Sequence, residues 1–155
     1  MIDAGYVRTM ARYNSWQNSQ LRPVIEAMSH KDLVKDRGAF FGSILATANH
    51  LLWGDTLWMS RFDPSVEPPS PDVRHDELHP TGAAWAADRF RMDGKIRHWA
   101  NSLRSVDLKG DMTWYSVMLK QHMSARIDLA VVGTANPDHL AAVVAAARRK
   151  LGADA

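Results

Sequence analysis

A chain of 155 residues fits one ordinary domain and is long enough for folding to remove roughly 70% of its unfolded surface from water, so it needs no disulfide or structural metal for stability. It contains no cysteine, which excludes disulfides, Cys-type zinc sites and a cysteine nucleophile; histidine is left as the main nitrogen ligand, and any thiol chemistry must use a small-molecule thiol. Nineteen Lys and Arg against seventeen Asp and Glu, scattered apart from Arg148-Arg149-Lys150, argue against a nucleic-acid partner, and the lack of a long apolar run argues against a membrane span, so the chain is read as soluble and cytoplasmic.

In chain order, Asp3 is placed to cap a first helix from about Ala4, with Tyr6, Met10, Tyr13 and Trp16 at helical spacing. Pro23 lacks a backbone donor and is expected to kink or interrupt this helix. Ser29 followed by Asp32 forms a weak capping box, which predicts a short helix or turn before the Asp36-Arg37-Gly38 break.

A second long helix is expected from about Phe40 to Arg61. Ile44, Ala48, Leu51, Trp58 and Phe62 make one stripe, and Ser43, Ala46, Thr47, His50, Trp53, Gly54 and Leu57 the neighbouring one. Neither stripe is strongly charged, so both are expected to be buried.

Residues 63–80, DPSVEPPSPDVRHDELHP, are rich in proline and charge and read as a long crossover. Thr81 then caps a third helix carrying Trp85, Phe90, Ile96, Trp99 and Leu103. Residues 108–112 suggest a tight turn or small hairpin before Trp114 and Tyr115. MLKQHMSARIDLAVV is compatible with helix, GTANPD breaks it, and His139–Leu151 reads as an alanine-rich helix with a basic end. The predicted class is therefore all-α: an antiparallel four-helix bundle with a long proline-rich crossover, in a single domain over 1–155.

His50 is the residue that most needs a reason, because it falls within the apolar, tryptophan-bearing run NHLLWGDTLW. A core histidine satisfied by neighbours is one reading; a metal ligand on a bundle's inner face is the other. The HxxxH of His75 and His79 lies in the crossover, where Pro71 and Pro80 leave little room for a helix, and reads as solvated loop histidines. His30 and His98 offer no partner at ligand spacing, and His122 and His139 lie near the last helix. Asp55 and Arg61 are placed to pair with Arg89 or Asp93 as ordinary interhelical ion pairs, and the six tryptophans read as core. Nucleotide-binding and Ser-hydrolase motifs are absent.

Two stretches, MARYNSWQNSQL and DRGAFFGSILATANHLLWGDTLWMSRF, resemble the first half of DinB-type proteins, and the similarity continues more loosely through the third helix to DMTWYS. The resemblance implies a four-helix bundle like those of metal-dependent thiol S-transferases, a homodimer, and a divalent metal (zinc, nickel or iron) held by three histidines. The first of these falls on His50. The other two come, in such proteins, from a HxxxH on the last helix; here the sequence from Asn136 reads NPDHLAAVV, which keeps His139 and lacks its partner. The implied ligands are thus His50 and His139, with His122 as a third candidate. A changed reading frame in the gene and ordinary divergence are two origins for this altered tail, which the coding DNA read in its alternative frames would separate.

Two functions follow from these readings. One is a metal-dependent thiol transferase or hydrolase-like enzyme acting on a small-molecule substrate. The other is a non-catalytic dimeric bundle serving as a stress-linked binding protein, and an apolar ligand held among the tryptophans is a further possibility.

Overall fold

The computed structural model describes residues 2–116 and 121–126. Four helices come first: α1 (Ala4–Ala27), α2 (His30–Val34), α3 (Ile44–Phe62) and α4 (Gly82–Ser102). Two strands follow, β1 (Asp111–Ser116) and β2 (Gln121–Arg126). The described chain is mostly helical, as expected, and the hairpin corrects the all-α reading. Residues 5–103 form one compact unit; among the described residues, 2–4 and those from Arg104 onward belong to another.

Helix α1 starts where predicted and runs through Pro23 to Ala27 without interruption. Proline removes one helical bond, but the turn beyond it buries Ile25 in the core, and that burial offsets the loss. The weak capping box forms: the Ser29 hydroxyl accepts from the Asp32 amide at 3.1 Å and donates to the Asp32 carboxylate at 2.7 Å. It opens the short α2, whose Leu33 is buried.

Helix α3 begins four residues later than its composition suggested, at Ile44 rather than Phe40. Gly42 adopts φ +76°, a left-handed conformation that favours glycine, and closes a small turn in which its amide donates to the Ala39 carbonyl at 2.8 Å. Ser43 then caps the helix by accepting from the Ala46 amide at 3.1 Å. This leaves Phe40 94% exposed and turns Phe41 towards His50.

Burial of both α3 faces is not what the structure shows. Leu45, Ala48, Leu52 and Met59, at helical spacing, join Ile25, Leu33, Val66, Trp85, Ala86 and Met92 in one core. Leu51 is 57% exposed, and His50, Trp53 and Leu57 are half-buried, because the core elements pack against one side of the helix. The tryptophans divide likewise: Trp85 is buried, whereas Trp16 is 58% exposed.

Helix α4 opens on Thr81, whose hydroxyl accepts from the Ala84 amide at 3.2 Å as its position suggested. One turn in, Trp85 fills the core and its indole Nε1 donates to the Ala48 carbonyl at 2.8 Å, so α4 is anchored to α3 by apolar area and a directed bond together. Gly82 lies against α1 and α2 so closely that a Cβ would stand 2.9 Å from Leu33 Cδ1 and 3.2 Å from the Ile25 carbonyl oxygen.

In the other unit, β1 and β2 pair antiparallel, with Trp114 opposite Met123 and Tyr115 opposite His122. The stretch QHMSAR, read as compatible with helix, is therefore strand; its β-branched and aromatic partners Thr113, Trp114 and Tyr115 supply the cross-strand contacts that decide the matter. The expected last helix from His139 lies outside the described residues.

Candidate metal centre where the crossover meets α3

Helix α3 carries Asn49 and His50 side by side, and each engages the crossover differently. Asn49 is buried. Its amide nitrogen donates to the carbonyls of Asp76 at 3.2 Å and His79 at 2.9 Å, and its amide oxygen accepts from the His79 backbone N–H at 3.1 Å. One side chain thus satisfies three backbone groups of the crossover and fixes residues 76–79 against the helix.

That attachment brings His75 to His50. Their Nδ1 atoms are 3.1 Å apart, with the rings nearly perpendicular at 80°. Phe41 stacks on His50 with centroids 4.1 Å apart, and Trp53 stands 6.1 Å from His50 and 5.9 Å from His75. The Asp76 carboxylate lies 3.9 Å from His75 Nδ1 and is held by Arg74 through bonds of 3.1 and 2.8 Å. The result is a pair of imidazoles in an aromatic corner with a fixed carboxylate beside it.

Electrostatics favour the neutral form of His50. Desolvation pushes its pKa below the ordinary 6.5, charge on His75 pushes it the same way, and Asp76 opposes both. A neutral imidazole offers a lone pair to a proton donor or to an ion. The Arg74 guanidinium likewise holds the Asp76 carboxyl below the usual carboxylate range.

The reading of the crossover pair as solvated loop histidines holds in part: both lie in the loop and His75 is exposed, but each also has a side-chain partner. His75 faces His50, and His79 Nε2 meets the Asp88 carboxylate of α4 at 2.9 Å. His30 and His98 are exposed, and His122 lies in β2 with its ring 5.3 Å from Tyr115. His139 lies outside the described residues. The sequence pattern missed Asn49, Phe41 and His75 as parts of this corner; an uncharged amide inside an apolar helix segment was the signal that a buried polar partner had to arrive from elsewhere.

The corner fits a divalent ion in donor type and in spacing, since both facing atoms are imidazole nitrogens. Among the described residues no three His, Asp or Glu side chains converge as a complete ligand set. The pair would supply two donors to such an ion and leave its remaining positions open.

A second polar cluster lies on the opposite side of α3. Arg89, 2% exposed, meets Asp55 at 2.6 Å and Asp93 at 2.7 Å, and Asp93 accepts from Asn14 at 3.2 Å and Asn18 at 2.9 Å. The predicted Asp55 to Arg89 pairing is thus present, and its role is structural: it ties α1, α3 and α4 together. Burial raises the Asp93 pKa despite the opposing pull of Arg89 and Asn18.

A family model described as the DinB family matches residues 1–123. No curated protein and no solved structure matches the chain. Among the described residues, no helix is long and apolar enough to cross a membrane.

Proposed function

This chain belongs to the DinB family, and from that premise we propose that its working centre is a divalent-metal site anchored on His50, serving a thiol transferase or hydrolase-like reaction on a small molecule. The observation that carries the proposal is the approach of the two Nδ1 atoms to 3.1 Å in a partly desolvated aromatic corner. A divalent ion bound there would lower the pKa of a coordinated water or thiol and so supply a nucleophile near neutral pH. His50 contributes a lone pair that desolvation favours over the protonated form, and Phe41 and Trp53 flank its ring. His139 remains the family's other expected donor. The thiol itself must come from outside, since the chain has no cysteine.

Metal content of the purified protein tests this reading. After loading with zinc, nickel or iron and removal of free ion, about one ion per chain is expected in the wild type, as for a single mononuclear site, and a large loss in His50→Ala. No retained ion in either protein sinks the proposal.

The second reading, a dimeric bundle acting as a stress-linked binding protein, draws support from α1, where Tyr6, Met10, Tyr13 and Trp16 form an exposed apolar stripe. Sedimentation of the wild type and of a Tyr13→Lys, Trp16→Lys double variant separates the two readings. A dimer that falls to monomer in the variant while zinc uptake is absent from both favours the binding protein.

A further inference from the structure

The geometry points to His75 as the second protein ligand of that ion, so that α3 and the proline-rich crossover hold the metal between the Nδ1 atoms of His50 and His75. The inference rests on the metal reading and names a donor that neither the helical HxxxH pattern nor the last helix supplies.

Spacing is the first argument. Two imidazole nitrogens each about 2.05 Å from one ion, with 3.1 Å between them, subtend an angle of about 100° at that ion. This falls between the right angle of an octahedral site and the tetrahedral angle. A single shared hydrogen bond, with one imidazole donating to the other, also accommodates the separation, and titration with zinc separates the two.

Preorganisation is the second argument. His75 is 45% exposed on a loop, yet its neighbour Asp76 is fixed through its carbonyl by buried Asn49 and through its carboxylate by Arg74. That carboxylate, 3.9 Å from His75 Nδ1, places fixed negative charge beside the pair, which favours a cation there. The aromatic walls of Phe41 and Trp53 supply the apolar shell around the pair.

Donor chemistry selects the ion. Two imidazole nitrogens suit borderline first-row divalent ions such as zinc, nickel or copper, and suit calcium and magnesium poorly, since those take oxygen ligands. The remaining positions stay available for water or an exogenous thiol.

Calorimetric titration of zinc into the full chain, stripped beforehand with chelator, tests the assignment in the wild type, His50→Ala, His75→Ala and His75→Asn. The expected result is one zinc in the wild type and at least tenfold weaker binding in all three variants, with metal-free unfolding midpoints unchanged at His75. Cobalt quenching of Trp53 fluorescence, identified by its loss in Trp53→Phe, is expected to disappear in the same variants. Zinc binding lost in His50→Ala but retained at full strength in both His75 variants overturns the assignment of His75 while leaving the metal centre standing. Absence of zinc binding in the wild type overturns both.

Discussion

Asn49 and His79 close a two-bond ring: the amide nitrogen of Asn49 donates to the His79 carbonyl at 2.9 Å, and its oxygen accepts from the His79 backbone N–H at 3.1 Å. A buried side chain here does what a neighbouring strand would do in a sheet, and with the added bond to the Asp76 carbonyl it docks the crossover. Asn49→Ala is expected to destabilise the protein by about 2 kcal/mol, since backbone groups are left without partners. Urea unfolding measures this, and faster proteolytic cleavage within residues 63–80 is the local sign. An unchanged midpoint with unchanged cleavage contradicts the docking role.

Arg89 and Asp93 form a buried pair whose members need each other. Arg89→Ala leaves the Asp93 carboxylate enclosed without its cation, at a cost of about 3 kcal/mol. Asp55, half-buried at the other end of the guanidinium, matters less, and Asp55→Asn is expected to cost about 1 kcal/mol or less. The double variant Arg89→Met, Asp93→Leu should recover much of the loss, because it removes both charges from the core. Equal destabilisation by the single and double variants would show that the charges themselves are not the source of the cost.

Stability is expected to fall on mild acidification through His50. Its folded-state pKa lies below the ordinary 6.5, so as pH falls the unfolded chain takes up the proton first. The stabilising contribution is complete above the unfolded pKa and is lost as pH drops from about 6.5 towards the folded value. Asp93 acts in the opposite sense at lower pH: its carboxyl is raised above 3.8, so the folded state takes up that proton first and gains on the unfolded state. Urea midpoints of metal-free protein between pH 8 and 5 should decline in the wild type and decline less in His50→Asn. Parallel slopes would rule out His50 as the source.

Two glycines in one helix should respond oppositely to alanine. At Gly82 a Cβ meets Leu33 at 2.9 Å and the Ile25 carbonyl at 3.2 Å, and backbone cannot yield as a side-chain tip does. Gly82→Ala is therefore expected to destabilise by about 1–3 kcal/mol despite its better helix propensity. Gly94, with nothing within 4 Å of its Cβ position among the described residues, should gain up to about 1 kcal/mol as alanine. Thermal unfolding of the two variants decides both signs.

Local chemistry written in the sequence determined the caps and most of the helices. Ser29, Ser43 and Thr81 each accept from an amide three residues on, a contact that depends on nothing distant. Periodicity locates α1, α3 and α4 for the same reason, although it extends α3 back to Phe40, because Phe40 and Phe41 resemble helix core while the left-handed Gly42 ends the preceding turn. The motifs around His50 also carried the family, which the match over residues 1–123 bears out.

What only the tertiary structure decided is which residues meet. Strand pairing of QHMSAR depends on partners in β1, and the burial of one α3 face rather than two depends on which elements pack there. His50 and His75 are 25 positions apart, and their approach is created by Asn49 binding a backbone whose shape no side-chain pattern in the crossover announces. Sequence spacing carries information about a site when one regular element presents all its residues. Here the facing nitrogens come from a helix and an irregular loop, and their distance is set by the buried amide between them.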